Sequence, residues 1–258
     1  MNTQKTNTRE RGLNRALSVL RFLREQKTPL RPIEIAKGIG APKTTIYEII
    51  SILVAEGVLE YAGSDGRVFL GRQLHFLANA FLGQYELTRM AQPILDQITS
   101  KTKETSQLCM LEGNKYTIVL MNTGRQNLEL FSEVGKPTPI PWTASGRLLL
   151  SHMTDEQILS YIPDEDFSLP NGAMLNQSEF ISAMREARDE GFYSKISEAN
   201  SETRCFAAPI YDRDEQCVAT LCMTTSLQDA RDNFHTYRRE LTVSASNLTA
   251  KLGNNYIS

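Results

Sequence analysis

The chain has 258 residues, of which 41% are hydrophobic and 22% are charged, and its formal net charge at pH 7 is −2. This composition is typical of a soluble globular protein with one large or two ordinary domains. The polar first residues, MNTQKTNTRERG, predict no signal peptide, and no apolar run approaches the roughly 18 residues of a membrane span.

The charge is distributed unevenly along the chain. Residues 1–75 carry 12 Lys and Arg against 7 Asp and Glu, a net of +5, whereas residues 76–258 carry 16 against 23, a net of −7. A basic front and an acidic rear suggest that only the front meets a polyanion. A net charge of +5 would not by itself identify a DNA-binding segment, so the assignment needs a motif.

The front carries the helical pattern of a DNA-binding domain. Apolar residues at helical spacing predict a first helix over about 11–26, and PIEIAKG, with Ile33 and Ala36 facing inward, predicts a second. Glycines 38 and 40 form the turn before a third helix over 42–56. Two helices joined by a short glycine-containing turn form a helix-turn-helix, with the second as the reader. The predicted stripe of the first helix is Leu13, Ala16, Leu17, Leu20 and Leu23.

A predicted β-hairpin follows. In VLEYAGSDGRVFLG the strand-like ends, 58–61 and 67–70, flank the turn GSDG. Three helices and a hairpin predict a winged helix-turn-helix over 9–73.

The reader helix begins with residues suited to DNA. The major groove receives the N-terminal residues of such a helix, whose dipole also favours phosphate. Glu48 has two interpretations, because it can accept from cytosine or pair with Lys43 or Arg15 on a solvated face. The predicted contacts to base edges or backbone are Lys43, Thr44, Thr45, Tyr47 and the hairpin residue Arg67.

The rest of the chain predicts an α/β domain. A connecting helix over 74–90 places Leu74, Leu77, Phe81 and Tyr85 on one face, which packs on a partner chain or on its own domain. Strand-like runs at 106–111, 116–122, 128–133, 204–212 and 217–225 are interleaved with helices around 144–162 and 176–190. A final helix has Phe234, Tyr237, Leu241, Ala245 and Leu248 on one face. This order indicates an antiparallel sheet with packed helices.

Several segments resemble the IclR-type transcriptional regulators. NRALSVLRFL, IEIAKGIGAPKTTIYEIISILVAEGVLE and GRVFLG are similar to that family's N-terminal half. GKPTPIPWTASGRLLL and GFYSKISEANSETRCFAAPIYDRDEQCVATLCMTT are similar to its rear half, so the resemblance covers about residues 11–228. It implies an α+β chain, in which the winged helix-turn-helix is joined by a dimerising helix, 74–90, to a GAF-like effector domain, 91–258.

The resemblance also implies an effector pocket. Family members hold an acidic ligand on loop amides that fall here on Ala144 and Ser145, beside Cys205, Cys222, Thr224 and Leu130. For the two cysteines, plain core packing is the alternative interpretation.

The sequence departs from the family pattern in three places, which involve four residues. Pro141 and Trp142 replace a His-Ala pair, Arg147 replaces a lysine, and Lys195 replaces an acidic residue. Trp142, the only tryptophan, either stacks on a ligand or fills the core. Lys195 either favours an anionic effector or is a solvated surface residue.

The sequence therefore predicts a cytoplasmic regulator, and the resemblance implies a repressor of catabolic genes. Its expected partners are double-stranded operator DNA and a small organic acid, and it is expected to act as a homodimer or homotetramer. The alternatives are a constitutive DNA-binding protein whose rear domain only assembles subunits, and an enzyme with a DNA-binding front. Enzyme motifs are lacking. The four cysteines show no CxxC or Cys/His spacing, so we expect neither a metal nor a cofactor.

Overall fold

The computed structural model describes residues 3–84, 86–124, 133–198 and 201–254. The chain divides into two compact units, Met1–Gln84 and Tyr85–Ser258. Each unit has its own hydrophobic core.

The first unit is a winged helix-turn-helix, as the sequence predicts. Its elements are helices α1 (Thr3–Gln26), α2 (Pro32–Gly38) and α3 (Lys43–Ala55) and the antiparallel strands β1 (Leu59–Ala62) and β2 (Arg67–Leu70). Helix α1 begins well before the predicted residue 11. Proline at the start of α2 suits the first helical turn, where a backbone N–H has no intrahelical acceptor.

The core of this unit covers only part of the predicted stripe of α1. Val19 and Leu23 are buried, but Leu13 and Leu17 are 64% and 40% exposed. In α2, Ile35 is buried with Ala36, whereas Ile33, which the pattern placed inside, is only half-buried. The fully assembled core consists of Val19, Leu23, Ile35, Ala36, Ile46, Ile50, Leu59 and Val68.

Two helices follow the wing. They are α4 (Gln73–Gln84) and α5 (Glu86–Thr102), and the predicted connecting segment 74–90 spans the end of one and the beginning of the other. Leu74 is half-buried and Leu77 is 55% exposed, whereas the side chains of Phe81 and Tyr85 lie outside the described residues. Dimerisation through this face stays a prediction.

The second unit is built on a six-stranded antiparallel sheet, with strand order β5-β4-β3-β8-β7-β6. The strands are β3 (Thr105–Glu112), β4 (Lys115–Asn122), β5 (Thr138–Pro139), β6 (Tyr193–Ile196), β7 (Thr203–Tyr211) and β8 (Cys217–Ser226). The helices are α6 (Gly146–Leu149), α7 (Asp155–Tyr161), α8 (Gln177–Glu190) and α9 (Leu227–Asn254), with 3-10 turns at Ile140–Trp142 and Asp164–Phe167. This arrangement is the predicted GAF-like α/β domain.

Side chains alternate between the two faces of the sheet. Leu108, Phe206 and Leu221 pack with α5 and α9, and four of the five predicted residues of α9 are buried there, Phe234 being half-buried. Cys205, Ala207 and Cys222 point to the opposite face, which α6, α7 and α8 cover. The alternation therefore places the predicted pocket residues of β7 and β8 on one side.

Parts of the predicted order differ in detail. The segment 144–162 holds two short helices, and β6 forms where no strand was expected. The predicted strand at 128–133 falls almost entirely on residues outside the described part of the chain.

Candidate DNA interface and effector pocket

Helix α3 buries one face and exposes the other. Ile46 and Ile50 are buried in the core, whereas Lys43, Thr44 and Tyr47 are exposed. Because the buried residues fix the rotation of the helix, the exposed face carries the predicted contacts at its N-terminal end. Tyr47 is 52% exposed, enough for its ring to reach beyond the protein surface.

The start of α3 is open to an anion. Its N-cap residue is Pro42, and no side chain caps the helix. The first N–H groups and the positive end of the helix dipole are therefore available to phosphate. Thr45 is half-buried, so it is less accessible than its neighbours.

The wing arginine already has a partner. Arg67 Nε lies 2.9 Å from Asp65 Oδ2, and both side chains are about half exposed. Gly63 and Gly66 adopt positive φ angles in the turn, which any other residue would adopt only with strain. A DNA phosphate at the wing would therefore compete with Asp65 for Arg67.

Glu48 is exposed and makes no ion pair with Lys43 or Arg15 among the residues that the structure describes. Of its two interpretations, the side-chain pairing with Lys43 or Arg15 is not observed.

The residues predicted to bind an effector include hydroxyl and thiol groups that lie on one face of the sheet. Cys205 on β7 pairs in register with Thr224 on β8, and their side chains lie 3.7 Å apart. Cys222, which faces Ala207, lies beside them on the same face. Strand pairing thus brings together three residues that the sequence predicted.

The loop before α6 lies next to this group of side chains. Ala144 and Ser145 are buried, and Ser145 lies beside the Cys222 thiol, but its hydroxyl makes no hydrogen bond of standard geometry with any described residue. In the same part of the chain, neither backbone N–H donates to a backbone carbonyl. Buried polar groups usually have partners, so these unused donors are unusual, and their contact with an effector stays a prediction.

Arg147 supplies a buried positive charge. Its side chain is almost fully buried, and Nη1 donates to the carbonyl oxygens of Thr143 at 2.7 Å and Pro141 at 3.2 Å. The guanidinium lies over the rings of Phe180 and Tyr193, at 5.0 and 5.2 Å from their centroids. Burial lowers the pKa of Arg147, and Nε has no hydrogen-bond partner in the described part of the chain.

Lys195 supplies a second charge. It lies on β6 opposite Cys205, its side chain is 11% exposed, and it forms an ion pair with Glu198. Burial lowers the pKa of Lys195, and the nearby Arg147 lowers it further, while Glu198 raises it. Lys195 is therefore largely buried and is not a solvated surface residue, whereas its contact with an effector stays a prediction.

The surroundings of Cys205 and Cys222 disfavour their thiolate forms by raising the pKa of each thiol. Burial raises the pKa of Cys205 to about 12. The adjoining Cys109, together with burial, holds the pKa of Cys222 well above its ordinary value. Cys109 Sγ lies 3.0 Å from the Tyr116 hydroxyl. Since the thiolate is the reactive form, these cysteines are not activated nucleophiles.

The indole of Trp142 is held by the backbone of the Asp164–Phe167 turn. Its indole Nε1 donates to the Asp166 carbonyl oxygen at 2.9 Å, so this group is not available to a ligand. The ring can still offer an apolar surface, and its contact with an effector stays a prediction. Leu130, also predicted to line the pocket, lies outside the described residues.

Family models match both units. The model described as "IclR helix-turn-helix domain" matches residues 12–63, and "Bacterial transcriptional regulator IclR C-terminal" matches residues 79–250. The chain belongs to the IclR family.

Characterised relatives and solved structures agree with this assignment. The IclR-family protein is 23% identical to the HTH-type transcriptional regulator XynR of Escherichia coli K12, over 94% of this chain and 97% of the relative. It is 28% identical to the Pca regulon regulatory protein of Pseudomonas putida, over 83% and 74% of the two chains.

Two solved structures share its fold. Thermotoga maritima IclR matches with a TM-score of 0.77 and 21% identity, over 93% of this chain and 98% of that one. An IclR homologue from Microbacterium hydrocarbonoxydans, complexed with 4-hydroxybenzoate, matches with a TM-score of 0.78 and 22% identity, over the same shares. The IclR-family relatives are transcriptional regulators, so the chain belongs to a non-enzymatic family, and the enzyme alternative is wrong.

Sequence reasoning missed parts of this site. Arg147 was noted as a departure but was not placed in the pocket, and Glu198 and Tyr193 were not considered. The spacing of Lys195 and Glu198 is a signal that could have revealed their ion pair. Among the described residues, no helix is both long and apolar enough to span a membrane, and no cluster of three or more metal-ligating side chains is found.

Proposed function

We propose that this IclR-family protein is a cytoplasmic repressor of catabolic genes that a small organic anion releases from its operator. The observation that carries the proposal is the buried pair of cations, Arg147 and Lys195, beside unused donors of Ala144 and Ser145. Among the residues that the structure describes, Glu198 is the one carboxylate observed in an ion pair with these two cations. An anion supplies charge-assisted hydrogen bonds that a neutral ligand lacks.

Thiol and hydroxyl groups suit the rest of a small ligand. Cys205 and Cys222 form a soft, apolar wall, and the Thr224 hydroxyl can bind one polar group. The homologue that binds 4-hydroxybenzoate supports an acid with an apolar body. Binding shifts the equilibrium between DNA-competent and DNA-incompetent arrangements through its different affinity for the two.

A screen of organic acids, each with its neutral amide as a control, tests this proposal. We expect acids that raise the melting temperature to release a labelled operator duplex, followed by fluorescence anisotropy. Acids that stabilise the protein without affecting DNA binding would favour a constitutive DNA-binding protein with an assembly domain.

The DNA contacts have distinct expected signatures. Lys43→Ala and Arg67→Ala should each flatten the dependence of log affinity on log salt by about 0.9 if each loses one phosphate contact. Tyr47→Ala should instead change the preferred operator bases, since only contacts to base edges carry sequence information. Titrations of an operator library at several salt concentrations measure both. Unchanged slopes and base preference in all three variants would show that α3 is not the reader.

The operator should contain two half-sites. One reader helix covers few base pairs, so a symmetric pair is expected, with centres about 34 Å apart or a multiple of that distance. Leu77 is 55% exposed on α4 and is our candidate for the partner contact. Leu77→Asp should shift sedimentation towards the monomer and shorten the footprint, whereas Leu159→Asp, at a 39% exposed residue of α7, should change neither. A single half-site bound by a monomeric wild-type protein would contradict this arrangement.

Trp142 fluorescence should report effector binding, because it is the only tryptophan. We expect a saturable change on adding an effector identified in the screen. The change should disappear in Thr224→Val, which lacks the pocket hydroxyl, and persist in Lys43→Ala. A tightly bound effector that leaves the signal unmoved would refute the placement of Trp142 near the ligand.

A further inference from the structure

One carboxylate already occupies part of the cationic pocket. Glu198 forms an ion pair with Lys195, and its charge also raises the pKa of Arg147. We propose that Glu198 is an internal competitor, which pairs with Lys195 and must be displaced by the carboxylate of the effector. This inference rests on the proposed effector role of the pocket.

Lys195 and Glu198 differ in how firmly the fold holds their side chains in place. Lys195 lies within β6, paired in register with Cys205, and its side chain is 11% exposed. Glu198 lies after the end of β6 at Ile196, and its side chain is 28% exposed. Glu198 can therefore move towards water while the ammonium group stays in place. A buried cation that loses its partner is costly, so displacement needs a replacement anion.

The cluster can accept that replacement. Arg147 and Lys195 carry two positive charges, and Glu198 neutralises one of them. Burial destabilises the charged form of both cations and so lowers the pKa of each. Ser145 Oγ and Arg147 Nε are buried without a partner among the described residues. An incoming carboxylate gains these donors, which Glu198 leaves unused, and this difference provides the driving force for exchange.

The proposal defines the class of ligand. The anionic group should be a single carboxylate, because it takes the place of one. Its body should be small and largely apolar, since Cys205 and Cys222 lie on the wall beyond Lys195. A neutral analogue cannot replace the charge of Glu198 and should not displace it.

Removing the competitor should increase carboxylate affinity. Full-length Glu198→Gln retains an oxygen that can accept from Lys195 but lacks the charge, so benzoate and acetate should bind about tenfold or more tightly than in the wild type. Benzamide and acetamide should show no gain. Isothermal titration calorimetry without DNA measures all four. Adding Lys195→Met to Glu198→Gln should abolish the gain.

Glu156→Gln is the matched control, because it removes the same charge from an exposed residue of α7. It should leave every affinity unchanged. If Glu198→Gln melts at a lower temperature than the wild type, Glu198→Asp decides the matter, since its shorter side chain should hold Lys195 less well and give a smaller gain.

Equal or weaker carboxylate binding by Glu198→Gln and Glu198→Asp would overturn the inference, as would no binding by any form. The outcome is separable from that of the proposed function. A gain in affinity without release of operator DNA would refute effector control while the competitor role stands. If an acid released DNA but bound with the same affinity whether or not Glu198 was replaced, effector control would stand and the competitor role would be refuted.

Discussion

Replacing Ile50 by aspartate should unfold the winged helix-turn-helix and abolish operator binding. Ile50 is 2% exposed in the core formed by the three helices and the wing. Truncating such a side chain costs about 2–5 kcal/mol, and burying an unpaired carboxylate adds to that cost. The sum reaches the whole stability of a small domain, about 5 kcal/mol. Fluorescence anisotropy should show no binding to the labelled operator, and circular dichroism should show a loss of helical signal.

Ile52→Asp is the matched control in the same helix, because Ile52 is 63% exposed. Its aspartate stays in water, so the melting temperature should change little and operator binding should persist. If both variants bound the operator equally, the packing of α3 against α1 and α2 would not support DNA binding.

Gly146→Ala should have the largest effect on the effector domain. A Cβ atom at Gly146 would overlap the carbonyl oxygen of Ile140, which the protein cannot move without shifting the loop. Such overpacking costs about 3 kcal/mol, which corresponds to a fall of about 6–12 °C in melting temperature for a domain of this size. The shift would also displace Ser145, so effector affinity measured by calorimetry should fall by at least about tenfold.

The same substitution at Gly253 serves as the control. Apart from its chain neighbours and its own helix backbone, no described atom lies within 4 Å of a Cβ built there, and the residue lies in helix α9, where alanine is preferred over glycine. Gly253→Ala should therefore keep or slightly raise the melting temperature and leave effector affinity unchanged. Equal stability of both variants would show that the loop tolerates the shift.

The DNA-binding half could be predicted from the sequence because its signals are local. Helical periodicity, Pro32, the glycines at 38 and 40 and the GSDG turn each determine structure within a few residues. The apolar stripe of α1 was a less reliable guide to burial. Periodicity identifies a helix, but it does not show which part of the apolar face the core covers. Leu13 and Leu17 continue the pattern and still lie exposed.

The pocket was only partly predictable because its charges come together through tertiary structure. Arg147 belongs to a short helix, and Lys195 to a strand at the edge of the sheet, 48 positions further along the numbering. Nothing in the sequence states that an arginine is buried between Phe180 and Tyr193, or that Glu198 reaches Lys195 in preference to solvent. Their roles depend on burial, and arginine, lysine and glutamate side chains are rarely buried in proteins.

The buried thiols bear on how a ligand of the proposed pocket would leave. Burial raises the pKa of Cys205 to about 12, so the reactive thiolate is scarce at pH 7. Under the proposed function, an aldehyde or an activated acid in the pocket would meet sulfur that does not attack it. Occupancy would then follow concentration and dissociation alone, and once the metabolite is consumed in the cell the protein would return to its operator chemically unchanged.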